Sequence, residues 1–203
     1  MSLDRLIQND DLDMIRLIFQ PSEDTLSHKD ENGKTVIMKA IEMGRVEIVR
    51  IILDGWYDNK DECLKERDNE GRSVLEYAIL YYPNTSIIEL LLQKIDDQYL
   101  YDRLSDDHLF MRVIENKNIE IIRLLAKPDY INIFDVDRDG NSILIYAVKT
   151  GNLEIFRIIF DLCNTEDNID IMQMQDYVEL SNSFGMTALM SLVQLPPSAD
   201  QSE

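Results

Sequence analysis

The sequence predicts an all-α protein built as a solenoid of stacked helix-turn-helix units. The main observation is an apolar run that returns along the 203 residues at nearly constant spacing. A fixed period of this size is typical of supersecondary units that stack, because each unit needs a neighbour to bury its apolar face. The runs begin at Met14, Ile48, Ile87, Ile121 and Ile155, so the steps between them are 34, 39, 34 and 34.

A second observation is a glycine-containing turn ahead of the units. Glycine readily adopts the positive φ of a tight turn, and a Ser or Thr two residues later can cap the helix that follows. The pattern therefore predicts a turn followed by a helix start at four places. The turns span residues 30–35, 68–73 and 137–142, with a weaker copy at 182–187.

Each turn leads into a short helix-like segment. In the first, Ile37, Ala40 and Ile41 have the i, i+3, i+4 spacing that places them on one helix face. Gly44 and Gly151 follow the turn glycines of their units at one common interval and are predicted to end this helix. The unit is therefore a turn, a short helix, a glycine, a longer apolar helix and a loop.

This pattern resembles the ankyrin repeat, a β-turn plus two antiparallel helices of about 33 residues with a T-P-L-H-x-A signature. The third unit departs from it, because Asp106 replaces the turn glycine and His108 takes the Thr position. An insertion around 82–84 is expected to lengthen the bend between two helices. The family's Pro is replaced by Val36, Val74, Ile143 and Ala188, and its His by Met38, Glu76, Ile145 and Met190, so apolar packing is expected to replace the hydrogen bonds of that His.

The resemblance implies six segments along the chain. Residues 3–19 are expected to form a capping helix pair with polar residues on its outer face. The last segment begins a helix but reaches Pro196-Pro197, which predicts a half repeat. Residues 164–182 are expected to form an enlarged loop with room for a short helix. The segments are a cap (1–29), unit 1 (30–67), unit 2 (68–102), a degenerate unit 3 (103–136), unit 4 with the enlarged loop (137–181), and a half repeat with a tail (182–203).

Composition limits the classes of partner. The 20 basic and 39 acidic residues give a formal charge of −19, which repels nucleic-acid phosphates and anionic lipid headgroups. A partner protein with a basic face would instead be attracted. Neither a leader nor an apolar stretch long enough to span a membrane is recognisable, so we expect a soluble, intracellular, cytoplasmic monomer that binds no membrane.

Neither the cysteines nor the one acidic motif predicts a metal site. Cys63 and Cys163 lack metal-ligand spacing and are expected to be buried, reduced thiols. The segment 135–140 matches the first half of a calcium loop, but Tyr146 stands where that loop needs a bidentate Glu. The same frame recurs in the other units without this ligand, so the sequence favours a structural turn and predicts no metal.

Catalysis is not predicted. A nucleophile needs an adjacent base, and the two histidines, His28 and His108, lie at turns of different units. No glycine-rich phosphate loop is present, because the seven glycines are scattered at repeat positions. We therefore expect a non-enzyme without a cofactor.

In ankyrin arrays the turn tips and the outer side of the short helix line a concave groove, so the resemblance implies where a partner would bind. Tyr81, Leu80 and Met43 are expected to be exposed anchors, whereas Tyr77 and Tyr146 are expected to pack between repeats. The methionines, including Met190, are expected in the core. The implied partner-binding positions are Glu31, Asn32, Lys34, Glu42, Met43, Asn69, Glu70, Arg72, Leu80, Tyr81, Asp107, Glu115, Arg138, Asp139, Asn141 and Lys149.

These observations predict a non-catalytic scaffold that binds a basic or mixed-charge segment of another protein through that groove. Two alternatives remain open at this stage. The array could be the targeting or regulatory module of a larger enzyme, such as a kinase or a secreted effector, whose catalytic part lies outside this chain. It could also self-associate through its exposed end. The fold alone does not distinguish these functions.

Overall fold

The computed structural model describes residues 3–18, 28–55, 64–105, 108–164 and 176–194. Within these ranges the regular structure is helical, which confirms the all-α prediction. β-structure in the same ranges is limited to isolated antiparallel bridges that close three of the turns, Arg67 with Ser73, Val136 with Ser142 and Ser181 with Thr187. The chain divides into two compact units, each of which contains several of the predicted repeats. From here on, the first unit means Met1–Asp96 and the second unit means Asp97–Glu203, and a single turn-helix-helix element is called a repeat.

The first unit begins with a helix pair, which two repeats follow. In this pair the apolar residues Leu6 and Ile7 are buried, while Arg5 and Gln8 are exposed. The helices of the first unit are α1 (Leu3–Asn9), α2 (Leu12–Ile18), α3 (Val36–Glu42), α4 (Val46–Asp54), α5 (Val74–Glu76), the π-helix π1 (Tyr77–Tyr81) and α6 (Thr85–Leu92).

Helices of one kind stack on helices of the same kind in this unit. The short helices pack in the order α1, α3 and π1, and the longer helices in the order α2, α4 and α6. Val49 and Leu53 of α4 are fully buried as a result. The period seen in the sequence therefore corresponds to neighbour-on-neighbour packing.

The insertion in the second repeat adds a single residue, and it does not lengthen the bend. The interval from Gly71 to Ile87 is one position longer than the interval from Gly33 to Ile48. The extra residue is absorbed inside the short helix, where Tyr77–Tyr81 adopts π geometry and Tyr82 N donates to Tyr77 O at 3.0 Å. The expected longer bend is thus wrong, because widening one helical turn keeps both helix ends in register. Such π-bulges occur often at functional sites.

The second unit contains one helix that the sequence analysis missed. This helix, α7, carries Leu100 and Leu104 one turn apart, and both are buried. Its i, i+4 spacing was a usable signal, but the sequence analysis assigned no element to this segment. The helices of the second unit are α7 (Asp97–Ser105), α8 (Leu109–Glu115), α9 (Ile119–Leu125), α10 (Ile143–Lys149), α11 (Leu153–Cys163) and α12 (Ala188–Val193).

Stacking in the second unit follows the same rule as in the first. The short helices pack in the order α8, α10 and α12, and α9 packs on α11. Residues 176–178 are helical, and the hydroxyl of the buried Tyr177 donates to Ile133 O at 2.9 Å. Part of the segment predicted as an enlarged loop is therefore fastened to the core, while residues 165–175 lie outside the described part.

The last helix of the described chain, α12, is more exposed to solvent than predicted. Met190 of α12 is 51% exposed, so its assignment to the core is wrong. The physical reason is that α12 packs on α10 and no second helix follows it within the described residues. None of the helices in the described ranges is long and apolar enough to cross a bilayer.

Candidate protein-interaction site

Each repeat turn is held by the side chain of its first residue. Oδ1 of Asp30, Asp68, Asp137 and Asn182 accepts hydrogen bonds from the backbone N–H groups two and four residues later, at 2.8–3.0 Å. The acidic residue that suggested a calcium loop therefore fastens its own turn. The sequence analysis missed this role, although an Asp or Asn three residues before each turn glycine was a signal for it.

Most of the turns also cap the helix that follows. Ser73 forms a capping box with Glu76, and Ser142 and Thr187 accept from the backbone N–H three residues on, which confirms their predicted role. Thr35 is the exception, because its buried hydroxyl has no hydrogen-bond partner. Glu76, at the position of the family's His, accepts from Ser73 N at 2.9 Å and from Arg67 at 3.2 Å, so this repeat does retain a polar network there.

Successive turns are joined at their tips. Asn69 N donates to Asn32 O at 3.1 Å in the first unit, and Ser183 N donates to Asp139 O at 2.7 Å in the second. The approach is close enough that a Cβ on Gly33, which has a φ of 74°, would lie 2.6 Å from Asn69 N and collide with the Asn69 side chain. A backbone hydrogen bond thus joins two successive turn tips in each unit, and we call this link the turn ladder.

The first unit gathers several of the sequence-predicted positions into one cluster, which we call the Tyr81 patch (Lys34, Glu42, Arg72, Tyr77, Tyr81 and Tyr82). The Arg72 guanidinium lies 4.8 Å from the centre of the Tyr81 ring and 5.0 Å from that of Tyr77. Cation–π contacts of this kind contribute about 0.5–1 kcal/mol at exposed sites. Arg72 therefore positions Tyr81 on the surface.

Arg72 is itself held by two carboxylates. Its Nη2 lies 2.5 Å from Asp68 Oδ2, and its Nη1 lies 2.9 Å from Glu70 Oε2. Burial opposes ionisation of Asp68, but the hydrogen bonds from Arg72 outweigh it, so the pKa of Asp68 lies below its ordinary value. The turn anchor, the cation and the exposed ring are thus one connected arrangement.

The other side of the patch is built around Glu42. This carboxylate accepts from Lys34 Nζ at 2.8 Å and from the Tyr82 hydroxyl at 3.0 Å. Burial lowers the pKa of Lys34, but the ion pair with Glu42 and a contact with Tyr77 overcome it, so the pKa of Lys34 is raised. Burial and Glu42 together raise the pKa of Tyr82. Both cations of the patch are therefore paired.

The predicted anchor residues differ from the residues that support them in how much of each side chain is exposed to solvent. Tyr81 is 44% exposed and Met43 is 38% exposed, as the sequence predicted. Tyr77 is buried at 1% exposure, in line with its expected packing between repeats. Leu80 differs from the expectation, since it is half-buried. The remaining predicted positions of this unit that lie on the open surface are Glu31, Asn32, Asn69 and Glu70.

The second unit uses the corresponding positions differently. Asn141 is 5% exposed, so its place on an open binding face is wrong. Its Nδ2 donates to Asp137, and its Oδ1 accepts from Asn182 at 2.8 Å and from Lys149 at 3.0 Å, which ties it into the turn ladder. The predicted positions that are exposed here are Glu115, Arg138, Asp139 and Lys149, whereas Asp107 lies outside the described residues.

Tyr146 takes part in this same turn. Its hydroxyl donates to Asp137 Oδ2 at 2.7 Å, and the side chain is half-buried, in line with its expected packing role. Burial and the neighbouring Asp137 raise the pKa of Tyr146. This tyrosine therefore serves the turn and is not an exposed anchor.

The remaining reactive side chains are dispersed. His28 is exposed in a loop, and His108 precedes α8 with a φ of 53°. Cys163 is buried, which raises the pKa of its thiol to about 12, whereas Cys63 lies outside the described residues. Among the residues that the structure describes, no three His, Cys, Asp or Glu side chains are grouped to hold a metal ion.

Comparison with known structures gives the fold a wider context. A crystal structure of an ankyrin repeat domain from Acinetobacter baumannii superposes with a TM-score of 0.67 at 21% identity, covering 93% of this chain and 88% of that one. A chain of the predatory endopeptidase and immunity protein complex from Bdellovibrio bacteriovorus superposes with a TM-score of 0.57 at 20% identity, covering 95% of this chain and 90% of that one.

One curated relative is a putative ankyrin repeat protein of Acanthamoeba polyphaga mimivirus. It is 27% identical over 153 residues, which cover 73% of this chain but 19% of the relative. The chain therefore spans about a fifth of the length of the curated relative that it matches.

The family model described as ankyrin repeats (3 copies) matches residues 3–102, 84–175 and 110–195, which together cover nearly the whole chain. These matches coincide with the repeated turn, short helix and longer helix seen in the structure. The chain belongs to the ankyrin-repeat family.

Proposed function

We propose that this chain is a protein-interaction module that binds a basic or mixed-charge segment of a partner protein through the Tyr81 patch and the turn tips of the first unit. Ankyrin repeats generally act as protein–protein interaction modules, and their fold is typically non-catalytic. The proposal adds the place of binding and the chemistry of the partner.

The observation that carries the proposal is the exposed but supported ring of Tyr81. A Tyr side chain offers a large amphipathic contact surface and has little conformational entropy to lose. Here Arg72 lies over both Tyr81 and the buried Tyr77, so the ring is ordered before a partner arrives. Preorganisation of this kind reduces the ordering cost of binding.

Charge around the ring favours a cationic segment. Lys34 is paired with Glu42, and Arg72 is paired with Asp68, so the positive charges of the patch are already balanced. Glu31 and Glu70 add carboxylates on the open surface. Together with the formal charge of −19, these groups attract Lys and Arg residues of a partner.

Selection from a displayed library of short random peptides tests the chemistry of the partner. We expect the selected sequences to be enriched in Lys and Arg around an apolar or aromatic residue, and their affinity to fall as salt is raised. Enrichment of acidic peptides, or binding that is insensitive to salt, would contradict the proposal.

The place of binding is tested by Tyr81→Ala. We expect the substitution to weaken binding of the selected peptide by about 1–3 kcal/mol, measured by fluorescence anisotropy. Phe184→Ala, which removes a 74% exposed aromatic ring at a turn tip of the second unit, is the matched control and should leave the affinity unchanged. Equal losses in both variants would move the site away from the Tyr81 patch.

We also propose that the module is a cytoplasmic monomer. The formal charge of −19 supports this, because copies with such a charge repel one another. Light scattering should give the mass of one chain at micromolar concentration, and fractionation should place the protein in the cytosol. A stable dimer, or recovery with membranes, would contradict this part of the proposal.

A second candidate is a targeting or regulatory module of a larger protein. The share of the mimivirus relative that this chain spans, 19%, favours it. Sequencing the complete open reading frame in its source tests this candidate. An additional catalytic domain would support it, and a reading frame limited to these repeats would rule it out.

A further inference from the structure

An apolar hollow of about 170 Å³ opens on the second unit. It lies where α10 and α11 meet the last described helix, α12. Gly151, just after the end of α10, borders it. The residues that line it are Ala147, Val148, Gly151, Asn152, Leu153, Phe156 and Leu192.

The first unit shows what normally covers this face. Val49 and Leu53 of α4 are 0% and 2% exposed, since α6 of the next repeat packs on α4. The residues at the same places in α11, counted from Gly44 and Gly151, are Phe156 and Phe160, and both are half-exposed. The longer helix of the fourth repeat, α11, therefore leaves partly exposed the apolar face that α4 buries.

The rim of the hollow is also apolar and open. Leu153 is 62% exposed and Leu192 is 50% exposed, although both border the same cavity as Phe156. Phe156 stacks on Phe160 with ring centres 5.7 Å apart, so the face presents two ordered aromatic rings. A concave, exposed apolar surface of this kind is typical of a binding site for another protein.

We propose that this hollow binds an amphipathic helix of a partner protein, which takes the place that the second helix of a fifth repeat would occupy. The contact between α4 and α6 in the first unit is the template for this packing. The helix would place an i, i+3, i+4, i+7 apolar stripe against Leu153, Phe156 and Leu192.

Charge selects the kind of helix. Lys149, Glu154, Arg157 and Asp161 are all exposed around α11, so the local charges balance, and the attraction comes from the formal charge of −19 of the whole chain. A second copy of this chain would bring the same charge and be repelled. A helix flanked by Lys and Arg is attracted instead, and this surface is separate from the Tyr81 patch.

A synthetic helical peptide of about five turns provides the probe. It carries Leu at i, i+3, i+4, i+7 and i+11, Lys at both ends, and a fluorescein label. The full chain should bind it saturably, whereas a scrambled peptide of the same composition should not bind. The double variant Leu153→Gln/Leu192→Gln should weaken binding by about tenfold or more, which is about 1.4 kcal/mol or more. Leu17→Gln, at a 75% exposed leucine of the first unit, is the matched control and should have no effect.

Three results would overturn the proposal. The first is equal binding by the double variant and the parent chain. The second is concentration-dependent dimerisation that the double variant abolishes, which would assign the hollow to a second copy. The third is peptide binding that appears only after residues 195–203 are removed, which would assign it to the chain's own tail. Circular dichroism of both variants confirms that a loss of binding is not a loss of folding.

Discussion

The two units use the same turn in opposite ways. In the first unit the residue after the turn glycine is a cation, Lys34 or Arg72, and each is paired with a carboxylate beside the Tyr77 ring. In the second unit Asn141 holds this position and is buried between neighbouring turns. The turn backbone is the same in both units, with the first side chain accepting from the N–H groups two and four residues on.

This difference shows that one position decides whether a turn's side chain lies towards the surface or bonds to the neighbouring turn. A long cation reaches across the surface and holds an aromatic ring, as Arg72 does with Tyr81. A short amide cannot reach the surface, so it bonds to the next turn. Under the proposed function, binding therefore depends on side chains at one repeated position of an otherwise constant scaffold.

The largest loss of stability is expected at Gly33, which differs from Gly71 only in the atoms that lie beside it. Gly33→Ala forces a left-handed residue and drives its Cβ into Asn69, so it should destabilise the fold by about 2–5 kcal/mol. Gly71→Ala has the same backbone cost but meets nothing within 4 Å, so it should cost about 1–2 kcal/mol. Urea denaturation measures both. Equal losses would mean that the close approach of the turns does not matter.

A second comparison concerns the turn anchors. Asp68→Asn keeps the acceptor for the turn but loses the ion pair with Arg72, so it should destabilise by about 1–3 kcal/mol. Asp137→Asn should cost less, because its side-chain partners, Asn141 and Tyr146, are neutral. Chemical denaturation at neutral pH tests the order. The reverse order would contradict the distinction between the two units.

The same carboxylates predict the acid limb of stability. The pKa values of Asp30, Asp68 and Asp137 are lowered, since hydrogen bonds to the ionised form outweigh burial. Their stabilisation is therefore fully present above the ordinary Asp pKa of about 3.9 and is lost as pH falls through the lower folded values. The difference in unfolding free energy between the parent chain and Asp68→Asn should shrink from pH 7 to pH 2. A constant difference would contradict the assigned direction.

The smallest effect is expected from the tyrosine hydroxyls. Tyr146→Phe removes the bond to Asp137 and should cost about 0.5–1.5 kcal/mol. Tyr81→Phe removes an exposed hydroxyl and should change stability by less than about 0.5 kcal/mol. Thermal unfolding distinguishes the two. A larger loss at Tyr81 would mean that its hydroxyl has a structural role.

Much of the fold could be predicted from sequence, because the repeat period and the turn glycines are local signals that recur in register. The π-helix at Tyr77–Tyr81 could not, since a one-residue insertion does not reveal whether a bend or a helix absorbs it. Helix α7 was missed because its two buried leucines, Leu100 and Leu104, lie between the repeated motifs, where the repeat pattern predicts no element.

The candidate site was predicted less completely. Resemblance placed Tyr81 and Met43 on the open surface, and the structure agrees. It also placed Asn141 there, because Asn141 has the same position in its repeat as Lys34 and Arg72. That position alone does not show whether the side chain is long enough to reach the surface or which hydrogen bonds it makes. The role of Arg72 as the support of Tyr81 depends on three-dimensional contacts between a turn and a helix, which spacing alone does not give.

The central claim is that Arg72 acts by holding Tyr81 for a cationic partner, and a double-mutant cycle tests it most directly. Peptide affinity is measured for the parent chain, Arg72→Asn, Tyr81→Ala and the double variant. We predict that Arg72→Asn weakens binding of the cationic peptide although it removes a repelling charge, and that the double variant is no weaker than Tyr81→Ala alone. Tighter binding by Arg72→Asn, or additive losses in the double variant, would contradict the account.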